Sequence, residues 1–248
     1  LPLDQADEMD ILEANGTVNV GSNKEYRAML KKIKEGSPAT NPDDLQYILD
    51  NVDVDNLFEY MALEMFVGNS DIGNIRYYRL HQEGSKWKWI WYDADYGLYS
   101  SKFNSPWSYM KVKGMGEQKI DNTIFLQLLE HPDYKRKFLE KLADVYKTFT
   151  TEYMTPVLDG VLAEIQPEMK NHWERWGELN DKAVTSEVPT TIDGAYTYWE
   201  SRVNRLYNTL KVRPHRLWDF IKDEFKLTKT EMEELFGPQP DYPDDAVL

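Results

Sequence analysis

Apolar positions recur every three to four residues along most of the chain and switch to a two-residue alternation in one short region. Tyr26, Met29, Leu30 and Ile33 form the first helical stripe, closed by Gly36-Ser37-Pro38. Asn41-Pro42-Asp43 reads as a new helix start with proline in its first turn. Asp53 can cap a further helix along Val54, Leu57, Phe58, Met61 and Met65, which stops at Gly68-Asn69. Residues 75–82 and 86–94 then read as paired strands rich in Tyr, Trp and Ile, with Glu83-Gly84-Ser85 as the turn. Alternation along the second strand predicts one face carrying Trp87, Trp89, Trp91, Asp93 and Asp95.

Residues 97–121 contain Gly, Lys and Ser and read as irregular; the remainder is helical. Tyr134, Phe138, Leu142, Val145 and Phe149 make one stripe, and Leu158, Leu162, Ile165, Met169, Trp173 and Trp176 a second with Pro156 near its start. Trp199, Val203, Leu206 and Leu210 make a third; Leu217, Phe220, Ile221 and Phe225 make a fourth. Thr228-Lys229-Thr230-Glu231 has capping-box spacing and predicts a short last helix. The pattern predicts an α+β chain, predominantly helical, with a small antiparallel β-hairpin. One domain covers residues 1–237, and 238–248, with three prolines and three aspartates, is an acidic Pro-rich tail expected to be mobile.

Composition narrows the partners. The 248 residues are 41% apolar and 13% aromatic, enough for a sizeable core. Forty-three acids against 29 bases give a net charge of −14, which repels nucleic-acid phosphates and anionic membranes. No apolar run approaches the ~20 residues that span a bilayer, so membrane insertion is not expected. The absence of cysteine excludes thiol catalysis, thiolate zinc and disulfides. A chain beginning at Leu1 reads as a processed product or part of a longer protein.

The candidate chemistry lies around the hairpin. Asn69-Ser70-Asp71-Ile72-Gly73-Asn74 precedes it, and Trp91-Tyr92-Asp93-Ala94-Asp95 ends it. A hairpin can fold these ends together and bring three carboxylates and a carboxamide near one hard cation. Oxygen ligands suit Mg²⁺ or Mn²⁺, and Mg²⁺ commonly binds together with phosphates. Asp71 can orient a hydroxyl, Asn74 can supply a neutral oxygen, and Asp93 or Asp95 can grip the metal. Each residue also has a plain reading, since Asp and Asn are ordinary turn residues and a Trp row is ordinary core. His81, His131, His172 and His215 show no zinc-type pairing, and Gly-x-Ser-x-Gly is missing. A glycosidase with two carboxylates across an aromatic cleft stays open.

The run beginning Asp53-Val-Asp-Asn-Leu-Phe-Glu-Tyr-Met-Ala, the Asn69-Ser-Asp71 and Asn74 loop, Arg76-Tyr-Tyr-Arg79, and Lys88-Trp-Ile-Trp-Tyr-Asp93-Ala-Asp95-Tyr-Gly97 resemble the CotH family of spore-coat-protein-like atypical protein kinases. The likeness continues through Phe125 to Phe138 and Trp199 to Val203, and covers most of residues 10 to 227. It implies a divergent protein-kinase-like C-lobe with the hairpin at the active site, and transfer of the ATP γ-phosphoryl to Ser or Thr of a protein substrate. On this resemblance Asp71 is the catalytic aspartate, Asn74 and Asp93 bind the cofactor, and Asp93, Asp95 and Asn74 hold Mg²⁺ or Mn²⁺. Either Asp93 or Asp95 can be the main ligand. The Asp71–Asn74 interval is shorter than the family pattern, whose loop commonly ends in two asparagines.

Relatives carry an N-terminal nucleotide-covering lobe with a phosphate-binding lysine, and no glycine-rich strand-turn-strand is recognised here; Val18 to Asn23 is too short and isolated. The chain is therefore expected to be the C-terminal part of the catalytic domain and to have little activity alone. The resemblance also implies an extracytoplasmic, cell-surface or spore-associated location. The alternative is a non-catalytic, pseudokinase-like surface module that binds protein or polysaccharide through Tyr99, Trp107 and Tyr109. The sequence leaves oligomeric state and substrate open.

Overall fold

The computed structural model describes residues 8–69, 71, 73–99, 120–180, 189 and 191–244. Among them are strands β1 (Met9–Glu13), β2 (Thr17–Val20), β3 (Arg76–Leu80) and β4 (Lys88–Ile90). The helices are α1 (Lys24–Glu35), α2 (Pro42–Asn51), α3 (Val54–Val67), α4 (Thr123–Glu130), α5 (Pro132–Thr148), α6 (Thr151–Ile165), α7 (Met169–Asn180), α8 (Ile192–Phe225) and α9 (Lys229–Phe236). The chain is thus predominantly helical with one antiparallel sheet, ordered β2-β1-β3-β4. No described helix is long and apolar enough to cross a membrane.

The helix starts follow the local chemistry. Asn41, Asp53 and Thr228 each accept a backbone N–H from the first turn of α2, α3 and α9, and Thr228 with Glu231 completes a capping box. Gly68 ends α3 in the left-handed conformation, where glycine carries no Cβ penalty.

Three elements differ from the pattern-based expectation. The expected hairpin is half of a four-stranded sheet, because β1 and β2 pair across Asn15 and Gly16, both at positive φ. Asn-Gly is a strong hairpin signal for this reason. The strands on either side of Glu83-Gly84 are also shorter than expected: β4 ends at Ile90. Finally, the third and fourth helical stripes are one helix, α8, running through Pro214. Proline has no N–H for the Leu210 carbonyl four residues back. The Thr151 hydroxyl donates to that carbonyl instead, at 2.9 Å, and so offsets the lost bond.

One core joins the sheet to α1–α5, the C-terminal half of α8, and α9. Phe58, Phe125 and Phe138 meet edge to face at its centre. By contrast α6 and α7 pack on the N-terminal half of α8 as an arm, and in α6 only Leu162 is buried. Pro238–Tyr242, expected to be mobile, lies along α8: Trp218 donates to the Gly237 carbonyl at 3.1 Å, His215 contacts the Pro240 carbonyl at 2.7 Å, and Tyr242 meets the His215 ring.

Candidate functional site

α3 positions both acidic segments. Its first turn clamps β4: the Asn56 carboxamide accepts from the Trp89 N–H at 2.6 Å and donates to the Trp89 carbonyl at 3.2 Å. Those two bonds satisfy backbone groups on the sheet's last strand, which otherwise lack a partner strand. Trp87 is held in the same way by the α2–α3 junction, through Asn51 and Asp53. At its other end α3 delivers the chain into Asn69–Asn74.

That end is fixed by a buried cation. Arg213 of α8 is 1% exposed and donates to the Met65 carbonyl at 2.6 Å and the Phe66 carbonyl at 2.9 Å. These carbonyls belong to the last turn of α3, where the helix dipole favours positive charge. Burial lowers the Arg213 pKa to about 10, so the group stays charged at neutral pH.

Beyond Gly68 the chain turns on itself. Asn69 is buried and its side-chain oxygen accepts the Asp71 N–H at 3.0 Å. The Asp71 carbonyl accepts the Asn74 N–H at 3.2 Å. Ser70 and Ile72 lie outside the described residues.

On the other side, strand geometry ends before the acids. Trp87 and Trp89 are 0% and 7% exposed, but Trp91 is 43% exposed, and Asp93 has φ +55. The single face of three tryptophans and two aspartates therefore does not form. Aspartate enters the left-handed region more readily than most residues, and the turn there lifts Asp93 and Asp95 into solvent. Gly97 then packs on the end of α3, where a Cβ would come within 2.8 Å of the Ala94 carbonyl and 3.0 Å of Val67. The Leu98 N–H donates to the Val67 carbonyl at 2.6 Å.

The two segments meet at Asn74. Its amide group donates to Asp93 Oδ2, and its oxygen accepts the Tyr92 hydroxyl at 2.6 Å. A carboxylate only accepts, which fixes the carboxamide with its NH₂ toward Asp93. The oxygen keeps one lone pair beyond the Tyr92 bond. Burial raises the Tyr92 pKa against the opposing Arg76 charge, and Glu13, Asp93 and Asp71 raise it further, so the hydroxyl remains a donor. Arg76 also lies over the Tyr92 ring, 4.9 Å from its centroid.

Asn74, Asp93 and the half-buried Asp71 thus belong to one neighbourhood. Asp95 is exposed and has no hydrogen-bond or ion-pair partner among the described residues. Among those residues no three histidine, aspartate or glutamate side chains stand together as a metal-binding group. The histidines serve elsewhere: His81 contacts Asp10, and His131 caps α5. Of the aromatics expected to line a binding surface, Tyr99 is exposed with Arg205 over its ring, and Trp107 and Tyr109 lie outside the described residues.

Sequence reasoning missed Glu64. It sits in the last turn of α3 and is 1% exposed, and its burial pushes the carboxyl up to about 7. The Asn69, Trp91 and Tyr60 donors oppose that rise, and the charge of Asp71 adds to it. None of the donors meets Oε2 at hydrogen-bonding geometry. The available signal was a single acid inside Met61-Ala-Leu-Glu64-Met-Phe-Val67.

An acidic turn is thus joined to an acidic strand exit by a shared asparagine. The family model described as CotH kinase protein matches residues 4–217, and the chain belongs to that family. The match covers the sheet, the arm and both acidic segments, and ends within α8. No curated protein and no solved structure matches the chain.

Proposed function

We propose that this protein transfers the γ-phosphoryl group of ATP to serine or threonine hydroxyls of a protein substrate, with Mg²⁺ or Mn²⁺, and that its helical part is a divergent kinase C-lobe. Membership of the kinase family supports this reading. The observation that carries it is the Asn74–Asp93 hydrogen bond, which joins residues 19 apart in sequence and brings the Asp71 turn beside the end of the hairpin.

The donor set fits the cation. Mg²⁺ retains several waters and takes one or two carboxylates with substrate phosphates, so a three-acid cage is not required. Asp93 and Asp95, both exposed, and the second lone pair of Asn74 are the groups that would hold it. When bound, such an ion neutralises charge on the phosphates. Asp71 is the catalytic residue: its carboxylate accepts a hydrogen bond from the acceptor hydroxyl and orients that oxygen for attack. Tyr92 fixes the Asn74 carboxamide. Gly97 lets the Asp93–Leu98 segment lie against α3.

Phosphoryl transfer from radiolabelled ATP, measured with the full-length protein, tests the reading. Asp93→Asn is expected to lower transfer at least ~100-fold while the thermal unfolding transition stays in place. Undiminished transfer by this variant would remove Asp93 from the mechanism.

One observation favours a non-catalytic binding module. A groove of about 550 Å³ between α6 and α8 is lined by Trp199, Tyr207, Asp159 and Glu200, groups able to stack on and hydrogen-bond a sugar or peptide. Calorimetric binding of oligosaccharide, with no binding of Mg²⁺-ATP, is the result that selects it.

A further inference from the structure

A carboxyl group has no packing reason to stand in the last turn of α3. Met61, Ala62, Met65, Phe66 and Val67 around it in sequence are buried apolar residues, and an apolar side chain would fill the place without desolvation cost. Glu64 is nevertheless almost fully enclosed, with Oε2 lacking a hydrogen-bond partner. The groups facing the carboxyl come from three segments: Tyr60 one turn back on α3, Asn69 and Asp71 from the turn after it, and Trp91 from the exit of β4.

Two of these contacts lead onward to the acids. The Asn69 N–H donates to the Glu64 carbonyl at 3.3 Å and its side-chain oxygen accepts the Asp71 N–H, so the Glu64 turn is tied to where the Asp71 backbone stands. Trp91 precedes Tyr92, which bonds Asn74, and Asp93, which accepts from Asn74. The Trp91 indole faces the Glu64 carboxyl, which ties that carboxyl to the segment from which Asp93 projects. Tyr60 is buried and its hydroxyl pKa is driven well up, first by burial and then by Glu64, so it also remains a donor.

We propose that Glu64 is a positioning residue, holding the Asp71 turn and the Asp93 segment in register through Asn69 and Trp91. The effect on turnover rests on the kinase reading above; the effect on the two segments does not.

Glu64→Gln tests it at pH 8, where the carboxyl is ionised, because glutamine keeps the size but turns one acceptor oxygen into a donor that faces donors. In ¹⁵N-resolved NMR spectra the Asp71 amide, the Asn69 side-chain amide and the Trp91 indole signals all shift, while signals of α5 stay in place. In the transfer assay kcat falls roughly tenfold to a hundredfold, as expected for misplaced reacting groups, and KM for ATP stays within about twofold. Unmoved Asp71 and Trp91 signals, or a wild-type kcat in the folded variant, overturn the proposal. If the unsubstituted protein transfers no phosphoryl group, the kinase reading fails alone and the NMR signals decide. Should Glu64→Gln not fold, Trp91→Phe at the half-exposed position replaces it: loss of the indole N–H must shift the Asn69 side-chain amide through Glu64, and an unchanged Asn69 signal overturns the proposal.

Discussion

Single residues at this site differ in how far their surroundings can be read from their neighbours in sequence. The caps Asn41, Asp53 and Thr228 were legible because a cap is satisfied within three residues. Glu64 was not, because Trp91, on the far side of the hairpin, reaches it only in the folded chain. Its titration makes a prediction. Between about pH 4.5 and 7 the folded state holds the Glu64 proton more tightly than the unfolded chain. Stability therefore falls as pH rises through that window, and the loss is complete above it. Replacing Glu64 by glutamine removes this contribution, worth up to about 3 kcal/mol. Urea denaturation at pH 5 and pH 8 should show the variant gaining on the unsubstituted protein at the higher pH; a constant difference would contradict the assignment.

Among elements, the helices α1, α2, α3, α5 and α9 were legible from apolar spacing and caps, and the sheet was legible only in part. β1 and β2 carry none of the aromatic residues that marked β3 and β4, and the Asn15-Gly16 signal between them passed unread. Alternation also carried β4 too far, since nothing in the period announces the left-handed turn at Asp93. Pro214 divided α8 in sequence but not in space, because a hydroxyl from another helix takes the freed carbonyl. Thr151→Val keeps the shape and removes that donor. It should cost about 1 kcal/mol and lower the melting temperature by a few degrees in calorimetry; an unchanged transition would assign the carbonyl another partner. Arg213 ties the same helix to α3, and Arg213→Met should destabilise by about 2–4 kcal/mol, measured as a shift in denaturant midpoint.

At the scale of the whole molecule, one helix organises the candidate chemistry. α3 clamps β4 through Asn56, receives Arg213 at its last turn, and feeds the turn that carries Asp71 and Asn74. The sequence resemblance named the acids, but how the two segments meet depends on three long-range contacts: Asn74 to Asp93, Tyr92 to Asn74, and Gly97 against Val67. Two acidic segments joined in this way predict metal-dependent nucleotide binding. Calorimetric titration of ATP into the full-length protein, with and without Mn²⁺, compared with its Asp93→Asn variant, measures this most directly. Binding that requires the ion and is lost in the variant is the predicted result; binding of equal strength without the ion, or undiminished in the variant, would contradict the account.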